Sequence, residues 1–432
     1  MTFATSNPIE YAEHFLERVQ HSPSSYHAAA IAADQLRAAG FEELQANKAW
    51  KAEPGGYYLL QGGALIAWVV PPNARPHTPF RILGSHTDSP GLKLKVHPDI
   101  TAAGWHQAAV EIYGGPILAS WLDRDLRLGG RIVLENGETR LVETGPILRV
   151  PHLAIHLDRQ ANESLKLDKQ GHMQPVFSAT PECHEENGIM GAIAQSAGVD
   201  PHRILAHDLI TTDAQPGQRI GADGELIAAG RLDNLASFFP SIDALIQVRG
   251  EDSDAIMVVA GFDHEEVGSQ TSTGAAGPLL GNVLERTLFA LGADVEDRMQ
   301  AYAASSCVSA DVAHAIHPNY QDRHDAVNYP SMGKGVVLKV NAQQRYASDA
   351  LSEAAWFDAC RKAGVESQVF VGNNSMPCGS TIGPISATRL GIQTVDVGIP
   401  VLSMHSAREL AHVKDLWEFA QVAKAYLADL VG

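Results

Sequence analysis

Apolar positions along this chain follow two different spacings. From about Asn7 to Gly40 they recur with helical period: "NPIEYAEHFLERV" offers a cap at Ser6 or Asn7 with Pro8 at the first position, and "SSYHAAAIAADQLRAAGF" closes at Gly40 as a C-cap. Strand-like runs follow: "GYYLLQ", "GALIAWVV" and "FRILGSHTD". From Leu94 to about Ile227 the texture becomes short β-type segments and turns, with an Asn136-Gly137 hairpin signal in "GGRIVLENGETRLVE". After Arg231, helical and strand patterns alternate through "NLASFFPSIDALIQV", "AIMVVAGF", "GVVLKV" and "ISATRLGIQTVDVG" to a last helix near Val413 to Leu430. This rhythm predicts an α/β fold: an open, mostly parallel sheet with helices on both faces, interrupted by a β-rich insertion. The expected division is residues 1–93 and 228–432 for the α/β domain and 94–227 for the insertion.

Several apolar runs end in charged company. "IMVVAGF" stops at Asp263-His264-Glu265-Glu266. Neighbouring carboxylates repel, and burying them unpaired is costly, so a positive partner is expected there. Four other segments share the design. "RILGSHTDSPG" supplies His86 and Asp88, "AAGRLDNLAS" Asp233, "SCVSADVAHAIHPNY" Asp311 with His314 and His317 behind it, and "GIPVLSMHSARE" His405. Ligand sites of open α/β sheets lie outside the carboxyl ends of the strands, so the five are expected to converge. Two histidines and three or four carboxylates suit zinc or a similar divalent ion. Shared between two ions, they would clamp one bridging water.

Adjacent residues on an extended chain point to opposite sides. Of Glu265 and Glu266, one can therefore bind an ion while the other faces the water. Spacing does not decide which; the assignment made is Glu266 as ligand and Glu265 as general base. Each segment alone also has a plainer reading. Asp233 or Asp311 can cap a helix, His405 can be a satisfied buried histidine, and the two glutamates can form a solvated loop.

Composition narrows the classes. The chain has 432 residues, 45% hydrophobic and 19% charged, with a net charge of −18. No basic stripe offsets that charge, which argues against a nucleic-acid partner. Cys183, Cys307, Cys360 and Cys378 form no CxxC pair, so reduced thiols in a cytoplasmic compartment are expected. "MTFATSNPIEYAEHF" lacks the regions of a signal peptide, and no run approaches the roughly 18 apolar residues of a membrane span. "DHEEV" is not a zinc-protease HExxH, because Gly268 stands where the second histidine is needed. "CHEEN", Cys183 to Asn187, has no partner segment and reads as a turn. "GNNSMPCGSTIGP" lacks the Gly-Lys-Ser/Thr of a phosphate loop, and GxSxG does not occur.

At its motif-bearing segments the chain resembles the aspartyl aminopeptidase family of metallopeptidases. The likeness runs through "GSHTDSPGLKLK", "VPHLAIHLDR", "GRLDNLAS", "DHEEVGS", "SADVAHAIHPNY", "VVLKVNAQQRYASDA", "MPCGSTIGPISATRLG" and "MHSARELA", over nearly the whole length. The resemblance implies two divalent ions, usually zinc: His86 and Asp311 on one, Glu266 and His405 on the other, and Asp233 bridging. It also implies Asp88 as the residue that orients His86, Glu265 as the base, and removal of N-terminal Asp or Glu from peptides. Lys339 matches the position that meets the acidic side chain, with a snorkelling surface lysine as the plainer alternative. Tyr346 is either an oxyanion donor or a core tyrosine. In relatives the histidine matching His156 reaches a neighbouring subunit's active site, in a dodecamer built from dimers through the insertion. The rivals are another two-metal aminopeptidase, an amide deacylase, and a non-enzymatic metal-bound shell protein.

Overall fold

The computed structural model of the chain describes residues 7–180 and 188–428; the Cys183–Asn187 stretch and Ser6 lie outside them. Asn7 caps the first helix, Pro8–Gln20, its side chain accepting from the Ile9 N–H at 2.9 Å, with Pro8 inside the first turn. A second helix, Ser25–Ala38, gives way to Gly40 in the left-handed region.

The principal sheet has nine strands. Their spatial order is Glu42–Glu43, Gly55–Gln61, Ala64–Val70, Ile256–Phe262, Phe80–His86, Ser306–Ala310, Gln393–Gly398, Val336–Val340 and Ser367–Val371. The four strands from Ile256–Phe262 to Gln393–Gly398 run parallel to one another. Antiparallel pairs flank them, so the sheet is mixed and more complex than the expected one. One cause is legible: Gln61 pairs with Ala64 across Gly62-Gly63, and a two-residue turn can only join antiparallel strands. Three further sheets, of seven, three and two strands, complete the β-structure among the described residues.

Helices cover both faces of the principal sheet. In Ile256–Phe262 the side chains alternate: Met257 and Val259 pack in one core with Phe238, Phe239 and Phe419. Ile256, Val258, Ala260 and Phe262 pack in a second core with Leu280, Val283, Leu284 and Ile382. That alternation explains the unbroken apolar run, since a strand covered on both sides has no polar face. Phe262 is 1% exposed and is the last residue before the acidic turn. Phe262→Ala is therefore expected to cost about 3–5 kcal/mol, read as a lowered denaturation midpoint.

The seven-stranded sheet draws on strands between Gly91–Ala102 and Ile204–Asp213 and has a core of its own around Leu92, Val110, Leu126, Leu128 and Leu209. The hairpin at Asn136-Gly137 is present, with Val133 opposite Thr139 and Gly137 at φ 81°. Among the described residues no helix is long and apolar enough to cross a membrane.

Candidate metal centre

His86 ends its strand, and its register partner on the neighbouring strand is Phe262. The chain leaving Phe262 turns back through His264 and Gly268, both left-handed, so Glu265–Val267 forms one tight 3-10 turn beside His86. Asp88 holds that turn. Its Oδ1 accepts from the Glu265 N–H at 3.0 Å and its Oδ2 from the Glu266 N–H at 3.1 Å, while the Tyr113 hydroxyl donates to Oδ2 at 2.7 Å. His86 Nδ1 lies 3.0 Å from the Asp88 carbonyl, which leaves Nε2 facing the cluster.

The remaining donors arrive differently. Asp311 follows directly on the strand Ser306–Ala310, as expected. Asp233 follows the strand Leu226–Ala229 of the small three-stranded sheet and sits in extended backbone within the kinked segment Leu232–Val248. His405 sits in a left-handed turn between Pro400–Val401 and Glu409–His412. The five segments therefore converge, although Asp233 and His405 come from outside the principal sheet.

Asp233 lies at the middle of the cluster. Its Oδ1 is 3.2 Å from His86 Nε2 and its Oδ2 is 3.3 Å from His405 Nε2. Asp311 Oδ1 lies 3.7 Å from His86 Nε2, and Glu266 Oε2 lies 3.4 Å from His405 Nε2. The donors thus form two groups, His86/Asp233/Asp311 and Asp233/Glu266/His405, with Asp233 in both. Glu265 also approaches, with Oε2 4.0 Å from His86 Nε2, and a third group holds His86, Glu265 and Glu266.

The chemistry of the donor set fits divalent cations. Asp233 Oδ1 and Glu266 Oε1 are buried and accept no hydrogen bond, a costly condition unless something positive meets them. Burial pushes Glu266 well above the usual carboxylate range, and burial among Asp311 and Asp233, against the pull of His86, raises Glu265 to about 7. Burial alone would lower His86, but Asp233, Asp311 and Asp88 outweigh it and raise it well above its ordinary value. A divalent ion between these groups would favour charged carboxylates and neutral imidazoles, reversing those directions.

Lys339 is 2% exposed, so the surface-lysine alternative does not hold. Its Nζ lies 3.6 Å from Asp311 Oδ2, donates to the Val312 carbonyl at 3.3 Å and stands 5.1 Å above the Tyr346 ring. Tyr346 is buried against Phe370 and also lines a cleft with His314, His317, Arg323, His324 and Ser403. His156 lies on an exposed segment with Leu153, Ile155 and Leu157 and is not gathered with the others.

Residues 18–427 match the family described as Aminopeptidase I zinc metalloprotease (M18). The chain belongs to this family. The enzyme is an aminopeptidase of the zinc metalloprotease class. It is 51% identical over 410 residues to the Streptomyces coelicolor protein named "Probable M18 family aminopeptidase 2", covering 94% of this chain and 95% of that one. The solved complex of Ape4 and Nbr1 contains a chain that superposes with a TM-score of 0.93 at 35% identity, covering 98% of this chain and 86% of that one. The S. cerevisiae mApe1 dodecamer superposes at 0.84 with 29% identity, covering 96% of each chain.

Sequence reasoning missed three parts of this aminopeptidase's centre. Tyr113 braces Asp88 from the strand Trp105–Tyr113, and the Gly115 carbonyl lies 3.0 Å from His405 Nδ1. Gly114 makes that approach possible: its φ is 70°, and a side chain there would come within 3.1 Å of Glu266 Cβ. The third is Glu409, four residues after His405 in "HSARELAH". A charged residue inside a short strand was its signal.

Proposed function

We propose that this aminopeptidase removes N-terminal Asp or Glu from peptides using two divalent ions, with zinc as the expected metal. His86 and Asp311 hold one ion, Glu266 and His405 the other, and Asp233 both. The carrying observation is the carboxylate of Asp233, one oxygen turned to each histidine. When bound, such an ion pair lowers the pKa of a shared water and polarises the scissile carbonyl. Asp88 fixes the His86 ring and the Glu265-Glu266 turn. Glu265 accepts the proton of the attacking water and returns it to the leaving amine. Tyr346, whose phenol burial raises above its ordinary value, stays protonated and can donate to the developing oxyanion.

Selection of an acidic first residue must work against a net charge of −18, so it needs close cations. Burial, with Lys339 nearby, lowers His314, and burial with His317 lowers His324; Arg323 lines the cleft beside them, and Lys339 stands next to its Tyr346 wall. The β-rich part, expected at residues 94–227, is the dimerisation domain of a homo-oligomer; its seven-stranded sheet runs from Gly91 to Asp213, and Leu226–Ala229 pairs instead with Glu409–His412. The mApe1 dodecamer supports an assembly of twelve chains; within it, His156 is assigned to a neighbouring subunit's active site.

Release of free amino acid from matched Asp-, Glu- and Leu-initiated peptides, with and without a chelator, tests this reading. Asp or Glu should be released at least about 10-fold faster in kcat/KM than Leu, since a hydrogen bond to a charged group contributes about 1.5–3 kcal/mol. A chelator should abolish all release. Chelator-sensitive release of Leu alone would keep the metals and remove Lys339 as selector. No release from any peptide with zinc restored would turn the assignment towards a deacylase.

A further inference from the structure

Asp233 and His405 reach the centre from turns rather than from the ends of the principal sheet, and both need their backbones held. The register of the small sheet supplies the means: Glu409 lies opposite Ala229, beside the turn that leads through Gly230 and Arg231 to Asp233. The Glu409 side chain, on a residue 2% exposed, points into that turn region. Its Oε2 accepts from the Asp233 N–H at 3.0 Å and its Oε1 from the His405 N–H at 2.8 Å. His405 adopts φ 66°, in the left-handed region that few non-glycine residues occupy. Two other contacts pin the same residue: the Ile117 N–H donates to its carbonyl at 2.9 Å, and its Nδ1 meets Gly115.

We propose that Glu409 is a positioning residue that sets the spacing of Asp233 and His405 and so governs retention of the ion they share. This rests on the two-ion reading. Glu409 stands behind its targets, on their amides, with no place among the donor groups themselves. A carboxylate accepts at both ends, whereas a carboxamide offers one oxygen and one NH2. Glu409→Gln therefore keeps size and burial but leaves one of the two amides facing a donor. Asp233 belongs to both donor groups and His405 to one, so the ion on the His405 side loses the placement of two ligands and the ion on the His86 side that of one, while His86 and Asp311 keep their anchors on the principal sheet.

The test is the zinc content of folded protein dialysed against graded free zinc, with circular dichroism and the melting temperature as the control on folding. Glu409→Gln should bind the ion on the His405 side about 10- to 100-fold more weakly and the ion on the His86 side with a smaller loss, with kcat lost in step and restored by excess zinc. A purely structural role would lower the melting temperature and leave both affinities unchanged. Should Glu409→Gln not fold, Glu409→Asp, which keeps the charge but reaches one amide only, is held to the same criterion. A wild-type chain with two ions and a folded variant with the same two affinities would overturn the inference alone. A wild-type chain that holds one ion would overturn the two-ion reading and this inference with it.

Discussion

Asp233→Ala is expected to leave the folded chain without stable hold on either ion, with peptide hydrolysis falling to the level of the chelated enzyme. Both donor groups lose a member at once, because the two oxygens of one side chain face the two histidines. The remaining pairs, His86 with Asp311 and His405 with Glu266, are too few for a tight zinc site, which takes three protein ligands even where catalysis keeps a position open. Enzymes accelerate their reactions by about 10⁶-fold or more, so loss of both ions should erase most of that factor. Metal analysis beside amino-acid release checks it. A variant that retains two ions and normal turnover would remove Asp233 from the shared position.

Glu265→Gln should lower kcat by about 10²- to 10⁴-fold while metal content and oligomeric state stay as in the wild type. The two neighbouring glutamates differ in setting. The Glu266 side chain is 4% exposed and lies against His405, whereas that of Glu265 is 17% exposed and more open to solvent. A proton carrier has to reach substrate, and a ligand does not. A glutamine at 265 keeps the volume and the Asp88 contact to its backbone amide but cannot take a proton. Unchanged turnover would sink the base assignment. Loss of metal with the turnover would make Glu265 a ligand.

Much of this centre was legible because its chemistry is carried by residue types that are costly where the pattern puts them. His86, Asp311 and the Glu265-Glu266 pair follow apolar strands, and the physics of buried carboxylates alone called for a cation. The helices near either end and the Asn136-Gly137 hairpin were readable from caps and turn residues that act locally. Less could be read of the small three-stranded sheet, because Gln218–Ile220 and Leu226–Ala229 are short and the central strand, Leu226–Ala229, finds its second partner, Glu409–His412, far along the chain. The roles of Tyr113, Gly115 and Glu409 were hidden for the same reason. Each acts through one contact to a residue distant in sequence or through backbone amides, and neither leaves a periodic trace. Lys339 was ambiguous in sequence, since a single lysine on an apolar strand reads equally as buried or snorkelling. Its contact with Asp311 decides the matter.

The contact between Gly115 and His405 spans 290 positions of chain. As the protein is synthesised, the first histidine, the β-rich wall and the paired glutamates can all be in place while the centre still lacks its last donor. With His405 as a ligand of the proposed pair, a chain released before that residue is expected to show no peptide hydrolysis, because one donor group lacks a member.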